Sequence, residues 1–310
     1  MAVFYRLQEL PAFGNPVITL GTFDGVHLGH RAILEAVIRQ AQAAGGQSIL
    51  ITFEPHPRKV LFPEQELKIL TPLDEKVRLI QEAGIEHVVV APFTKAFSQL
   101  SADKYIEDFL VRYFHPEVIV IGHDHHFGHD RKGNIALLEA FAAPCGFKVC
   151  QISEQLINDA AVSSTKIRKA LAQGAVVAAR EMLGRPYSFK GSVVHGQQLG
   201  AQLGYPTANL EPLCADQLLP ANGVYAITAL LDGQALKGMM NIGVRPTVSK
   251  EMERRIEAHL FGFSAEIYGR ELEIFFVEKL RDEQRFPSIE VLQAQLQQDE
   301  AKARSLLERL

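Results

Sequence analysis

The sequence predicts an α/β protein in two parts: a parallel sheet covered by helices, then a small antiparallel β-barrel with a terminal helix. Three observations carry this expectation. Short apolar runs alternate with helical periodicity from residue 17 to about 150, and strands that are apolar on both faces belong to a parallel sheet covered on both sides. Near Leu183-Gly184-Arg185-Pro186 the helical alternation stops, and β-type runs separated by glycine turns take over, the pattern of a small barrel. The chain then ends on Pro287-Ser288 through Leu310, where Ile289, Leu292, Leu296, Ala303, Leu307 and Leu310 form one apolar stripe. The expected division is residues 1–184 and 185–310.

The elements follow in order. Val17-Ile18-Thr19-Leu20 reads as a buried strand, and Ala32 to Ile38 has helical spacing. Gly45-Gly46 stops that helix before the strand Ser48–Phe53. Thr71-Pro72-Leu73-Asp74 opens the next helix, with Thr71 as cap and Pro72 in the first position, and Gly84 closes it. Strands are expected at His87–Ala91, Glu117–Ile121 and Gly146–Cys150, with helices from Ser101 and from Gly133 to Phe141. In the second half the candidate strands are Tyr187–Val194, Gly223–Leu231, Leu236–Ile242, Ile256–Phe261 and Leu272–Val277. The terminal helix is expected to pack on the barrel rather than on a partner or a membrane, because its polar face mixes acids and bases.

Composition narrows the function. The 310 residues are 47% hydrophobic and 22% charged, with a formal net charge of −4. That balance lacks the basic excess of a bulk nucleic-acid binder, yet it allows a local positive site for one nucleotide. Cys145, Cys150 and Cys214 are the only cysteines, and this sparse odd set points to reduced thiols in a cytoplasmic protein. No apolar run approaches the length of a membrane span, so no membrane association is expected.

The stretch Gly21-Thr22-Phe23-Asp24-Gly25-Val26-His27-Leu28-Gly29-His30 lies between the first strand and the first helix. A helix start presents backbone N–H groups and a positive dipole end, which suits phosphate. Gly21, Gly25 and Gly29 let backbone approach a ligand. His27 and His30, three apart at a helix start, share a face and can stabilise charge on a transferring phosphoryl group. The bland alternative is a structural turn with incidental histidines.

Four further strings carry chemistry. Gly122-His123-Asp124-His125-His126-Phe127-Gly128 follows a strand; its residues by themselves leave metal binding or a solvated loop open, and the family resemblance described below implies a nucleotide-site loop. Ser163-Ser164-Thr165-Lys166-Ile167-Arg168 is a hydroxyl-rich helix cap followed by basic residues, and such groups can hold the β- and γ-phosphates of ATP. In Gly200-Ala201-Gln202-Leu203-Gly204-Tyr205-Pro206-Thr207-Ala208-Asn209, Thr207 and Asn209 offer hard oxygens two apart that suit Mg²⁺. Glu257 lies inside a strand pattern: a general base on one reading, an outward-facing glutamate on the other. No Gly-x-x-x-x-Gly-Lys-Ser/Thr loop is present.

The opening string, together with Thr52-Phe53-Glu54-Pro55-His56-Pro57, resembles the nucleotidyltransferase superfamily signature as it occurs in bacterial bifunctional riboflavin kinase/FAD synthetases. The Ser164 string is similar to that superfamily's phosphate segment. The Gly200 string, Asn241-Ile242-Gly243-Val244-Arg245-Pro246-Thr247 and Glu257-Ala258-His259-Leu260 resemble the riboflavin kinase module. The family implies a Rossmann-like nucleotidyltransferase domain (1–184) and an antiparallel β-barrel riboflavin kinase domain (185–310). It implies ATP as co-substrate, Mg²⁺ as cofactor, and riboflavin, FMN and FAD as substrates or products, with no nucleic-acid partner and a monomer or weak oligomer.

The resemblance also assigns roles. His27 and His30 stabilise the α-phosphate, and Glu257 is the base. Gly21, Phe23, Asp24, Gly25, Gly29, Asp124, Ser164, Thr165, Arg168, Gly200, Gly204 and Pro206 contact nucleotide. Asn241 and Arg245 contact flavin, while Thr207 and Asn209 hold the metal. Phe62 is a candidate flavin platform or a core residue. The sequence departs from the family pattern at Ala201, where arginine is usual, and at His125 and His126, which replace phenylalanine and arginine. Leu260-Phe261-Gly262-Phe263 stands where Leu-Leu-Asp-Phe is frequent. Two rivals remain: a nucleotidyltransferase for another phosphate with an unrelated barrel, and a non-enzymatic flavin or metal sensor.

Overall fold

The computed structural model describes residues 1–122, 125–152, 162–196, 200, 203–246 and 252–309, with 245, 246, 252 and 253 as backbone only. Its contacts divide the chain into two compact units, Met1–Ser164 and Thr165–Leu310.

The first unit holds six parallel strands: β1 (Ala2–Phe4), β2 (Val17–Leu20), β3 (Ser48–Glu54), β4 (His87–Pro92), β5 (Val118–Gly122) and β6 (Lys148–Ile152). They are ordered β1-β4-β3-β2-β5-β6. From β2 the chain builds outward through β3 and β4, then returns to add β5 and β6 on the other side. The direction of winding therefore reverses between β2 and β5, and such a switch point opens a ligand crevice at the strands' carboxyl ends. The Gly-rich stretch follows β2 at this position. Alternate residues of the same strands feed two cores: Ile18, Ile49, Ile51 and Ile119 in one, Val17, Leu50, Val88 and Val120 in the other. Burial on both faces is why the strands read as continuous apolar runs.

Several boundaries differ from expectation. The sixth strand begins at Lys148 because Gly146 (φ +77°) still caps the helix Ile135–Cys145 in the left-handed region. The edge strand β1 is three residues long and carries no pattern that sequence periodicity can resolve. Thr71 is not the cap of the next helix: the N-cap of α3 (Leu73–Glu82) is Pro72, and the backbone N–H of Thr71 donates to Asp24 instead. Ser101 does cap its helix by accepting from Lys104 N–H. That helix runs through a π-helical stretch, Tyr105–Val111, into Arg112–Phe114.

The second unit opens with helices Ser164–Ala172 and Val176–Leu183. A closed antiparallel barrel follows, ordered β10-β11-β8-β7-β12-β9. Its strands are β7 (Ser188–Val194), β8 (Ala208–Pro212), β9 (Gly223–Leu231), β10 (Gln234–Pro246), β11 (Met252–Leu260) and β12 (Glu271–Arg281). Five were expected. The sixth, β8, begins at Ala208, inside the Gly200–Asn209 string. Tyr225, Ile227, Met240, Ile242, Ala258 and Phe276 are fully or almost fully buried and fill one face of the ladder. On the other face Val224, Ala226, Met239, Val277 and Leu280 pack against Ala303 and Leu307 of the C-terminal helix (Ile289–Leu307).

Ser288 caps that helix, its hydroxyl accepting from Val291 N–H at 3.4 Å. Leu292, Leu296, Ala303 and Leu307 face the barrel as their spacing predicts, but Ile289 at the first turn remains exposed, and residue 310 lies outside the described residues. Arg281 locks the helix down with a bidentate contact to the buried Asp299 carboxylate at 2.8–3.0 Å. Among the described residues no helix is long and apolar enough to cross a membrane.

Candidate active sites

The Gly-rich turn after β2 is backbone under strain. Phe23 (φ +46°) and Val26 (φ +39°) both lie in the left-handed region, with Gly25 (φ +91°) between them. A β-branched residue there is a genuine outlier, and such conformations cluster at ligand sites. A side chain on Gly21 would press on the Phe23 ring at 3.1 Å. The turn delivers His27 to the N-cap of α1 (Leu28–Ala43), where its Nδ1 accepts from the backbone N–H of His30 at 3.3 Å. An accepting Nδ1 places the proton of the neutral ring on Nε2, so His27 offers a donor on its far side. Gly29 is buried in the first turn of α1, where backbone N–H groups have no partner within the helix.

His30 stacks on His27 with ring centroids 3.6 Å apart and lies 4.8 Å from the Phe23 ring. Its Nδ1 is shielded from solvent and has no hydrogen-bond partner among the described residues. Burial, then the neighbouring His27 and Lys76 charges, hold the His30 imidazolium well below its usual range. At neutral pH the His30 ring therefore acts as a dipole and donor rather than as a fixed cation.

Asp24 and Lys76 clamp the turn. The buried Asp24 carboxylate accepts from Leu70 N–H at 2.9 Å and Thr71 N–H at 3.0 Å. Lys76, also buried, donates from Nζ to the Thr22 carbonyl at 3.2 Å, and the Thr52 hydroxyl donates to the same oxygen. Burial pushes the Lys76 ammonium down, and Asp24 and Glu54 partly restore it. The Asp24 carboxylate is thus engaged by the protein's own backbone. Lys76 escaped sequence reading, although one signal was present: it occupies a core position beside Val77 and Ile80 on α3.

The remaining predicted residues are placed as follows. Ser164, the last residue of the first unit, donates its hydroxyl to the Asp24 carbonyl at 2.8 Å. Thr165 and Arg168 lie on the helix that Ser164 opens. Phe62 follows α2 (Pro57–Leu61) and is an exposed aromatic, not a core residue. Asp124 lies outside the described residues, as does Ala201. Phe127 is buried, stacked on Tyr105 at 5.2 Å and paired with Gly133 through two backbone hydrogen bonds. Among the described residues no group of three or more His, Cys, Asp or Glu is arranged to hold a metal ion.

In the barrel unit, pairing brings distant residues into one row. Asn209 of β8 is directly opposite Glu257 of β11, and Glu257 is directly opposite Asn241 of β10. Directly paired residues project to the same face with Cβ atoms about 5 Å apart. Ile256, Ala258 and Leu260 are buried, so Glu257 and His259 point outward from the barrel. The C-terminal helix covers part of this outward face, leaving a half-open cavity of about 370 Å³ lined by Thr207, Asn209, Asn241, Glu257 and His259, with Leu292 and Leu296 from the helix.

Gly200 also lines this cavity and accepts at its carbonyl from Leu203 and Tyr205 N–H. Gly204 (φ +84°) turns the chain, and the Pro206 carbonyl accepts from His259 Nδ1 at 2.8 Å. The side chain of Arg245 lies outside the described ones. Sequence reading missed Glu283, which lines the cavity from the loop after β12.

A histidine pair at a helix start on the switch point of a parallel sheet, and in the second unit a barrel face that aligns a carboxylate with two amides, define a two-domain nucleotide-dependent transferase. Comparison with known proteins agrees. Residues 11–166 match the FAD synthetase family model, and residues 183–307 match that of riboflavin kinase. The bifunctional riboflavin kinase/FMN adenylyltransferase of Escherichia coli strain K12 is 36% identical over 301 residues, 97% of this chain and 95% of the relative. The proteins of the same name from Listeria monocytogenes and Pseudomonas fluorescens are 37% and 38% identical, each over 96% of this chain and 94% of its own length. A crystal structure described as a macrolide-efflux protein from Streptococcus pneumoniae superposes with a TM-score of 0.87 at 28% identity, over 98% of each chain.

The chain belongs to the bifunctional riboflavin kinase/FMN adenylyltransferase family. The riboflavin kinase match removes the rival in which the barrel is unrelated to flavin chemistry.

Proposed function

We propose that the chain phosphorylates riboflavin to FMN at the barrel and adenylylates FMN to FAD at the parallel sheet, with ATP as donor in both steps. The observation that carries this reading is the row Asn209–Glu257–Asn241, which sets one carboxylate between two amides in a half-open cavity.

In the first reaction the riboflavin 5′-hydroxyl attacks the γ-phosphorus of ATP, Glu257 takes the hydroxyl proton, and ADP leaves. Gly200, which lines the cavity, and the nearby Gly204 and Pro206 are assigned to the nucleotide, and Asn241 and Arg245 to the flavin. The hydroxyl of Thr207 and the amide oxygen of Asn209 are hard donors with one carboxylate nearby, a set that fits Mg²⁺, which keeps several waters and takes further ligands from phosphate. An ion held there by Thr207 and Asn209 would neutralise charge on the ATP phosphates.

In the second reaction a phosphate oxygen of FMN attacks the α-phosphorus of ATP and pyrophosphate leaves. Phosphate is already a competent nucleophile, so no protein nucleophile is needed. The Nε2–H of His27, the His30 ring and the helix N–H groups stabilise charge on the α-phosphate. Gly21, Phe23, Gly25 and Gly29 shape the turn around the nucleotide, and Asp24 acts through the clamp it makes with Leu70 and Thr71. Asp124, Ser164, Thr165 and Arg168 complete the nucleotide contacts, and the exposed Phe62 ring offers a flavin platform. We place the functional boundary between residues 184 and 185. The sparse free cysteines support a cytoplasmic location, and the family reading supports riboflavin, FMN and ATP as small-molecule partners of a monomer or weak oligomer.

One incubation tests the whole reading. Purified protein with riboflavin, ATP and Mg²⁺ is expected to yield FMN and then FAD by chromatography. Tight flavin binding without turnover would support the sensor instead.

A further inference from the structure

Two carboxylates face the barrel cavity, and the proposed phosphoryl transfer uses one. The second is Glu283, two residues past the end of β12. Its loop is pinned from behind: Arg281, gripped by Asp299, also donates to the Asp282 carbonyl at 3.0 Å. Asn222 Nδ2 donates to Glu283 Oε2 at 3.2 Å, which fixes one oxygen. The other, Oε1, lies against the Cα of Gly243. A Cβ on Gly243 would stand 2.3 Å from that oxygen and 3.3 Å from Asn241 Nδ2.

Gly243 has no conformational reason to be glycine. It sits in β10 paired with Arg255, outside the left-handed region. Its missing side chain leaves room for the Glu283 carboxylate, and that room lies beside Asn241.

Resting on the riboflavin kinase reading above, we infer that Glu283 is a substrate-positioning residue whose Oε1 accepts a hydrogen bond from a ribityl hydroxyl of riboflavin. An ionised carboxylate only accepts, so its ligand must be a donor. Riboflavin offers two kinds, the ribityl hydroxyls and the ring N3–H. Gly243 is two residues along β10 from Asn241, a step of about 7 Å, and Asn241 is directly opposite Glu257. Measured from the hydroxyl that Glu257 deprotonates, that separation matches the length of a pentitol chain, whereas the N3–H lies at the far end of the ring system. Apolar residues of the same cavity, Phe286, Leu292 and Leu296, suit the ring.

The test is kinetic and uses the full chain. Glu283→Ala is expected to raise the KM for riboflavin about ten- to hundredfold, the loss of one charge-assisted hydrogen bond, with kcat changed less than threefold. The inhibition constant of lumiflavin, which carries methyl in place of ribityl, should stay within twofold of wild type. Gly243→Ala, which displaces the carboxylate without backbone strain, should raise the riboflavin KM similarly, and the double variant should be no worse than Glu283→Ala. The retained kcat of riboflavin phosphorylation reports that the barrel is folded in each variant.

An unchanged riboflavin KM in Glu283→Ala would overturn the inference. Equal weakening of riboflavin and lumiflavin would also overturn it, because the contact would then be to the ring. If the wild-type protein itself fails to phosphorylate riboflavin, the underlying reading has failed instead.

Discussion

The imidazoles of His27 and His30 lie face to face, 14° from parallel with centroids 3.6 Å apart, and a hydrogen bond from His30 N–H to His27 Nδ1 fixes the pair. Removing His30 leaves the cap in place but takes away the stacked partner. His30→Ala is therefore expected to lower FAD formation from FMN by at least about a hundredfold, the scale of losing one group that stabilises transition-state charge. FMN formation from riboflavin should be unaffected. Chromatography of the products of each half-reaction checks both, and parallel loss of both activities in a folded variant would contradict separate sites.

The same pair makes the first unit sensitive to acid. Burial and nearby charge hold the folded His30 pKa below its ordinary value of 6.5. The unfolded chain therefore binds a proton that the folded chain refuses, and stability falls as pH drops below about 6.5. His87, also lowered chiefly by burial, adds in the same direction. Urea denaturation at pH 7.5 and 5.5 should show less loss at the lower pH in His30→Asn than in wild type. An NMR titration should find the His30 ring neutral throughout pH 6 to 7.

Asp24 accepts from two consecutive backbone N–H groups at the entry to α3. Asp24→Ala strands both donors in a buried place, at about 1–3 kcal/mol for each unsatisfied group. We expect a lower urea midpoint and a loss of FAD formation with FMN formation retained. Asp24→Asn, which keeps an acceptor, should be milder on both counts.

Glu257 sits between Asn209 and Asn241 in the row across three strands. Glu257→Gln is expected to lower the kcat for riboflavin phosphorylation by about 10²–10⁴-fold, the usual contribution of a positioned base. FAD formation should continue when FMN is supplied. A variant with normal kinase turnover would remove Glu257 as the base.

Both fold classes were legible in the chain, for different reasons. Parallel strands buried on two sides leave unbroken apolar runs such as Ile49-Leu50-Ile51, and glycine turns mark the barrel hairpins. The anion-suited helix start was readable because its residues are contiguous, from Gly21 to His30. Lys76 and Glu283 were not, because each reaches its site from an element remote in sequence. Thr71 looked like a helix cap by local rules, yet its N–H serves Asp24, forty-seven positions away. Local signals cannot rank a tertiary partner against a nearby one.

What the sequence determined by itself is the content of each site: paired imidazoles at a helix start, and hydroxyl, amide and carboxylate donors in the second half. Tertiary structure decided their arrangement. Glu257 could have pointed inward, or outward to water. It points outward, but into a half-open cavity partly covered by the C-terminal helix, which Arg281 and Asp299 hold against the barrel. Strand register, not sequence spacing, brought residues 209, 241 and 257 level. The physical reason is that backbone pairing acts between segments far apart in the chain, and only the folded ladder specifies which residues face each other.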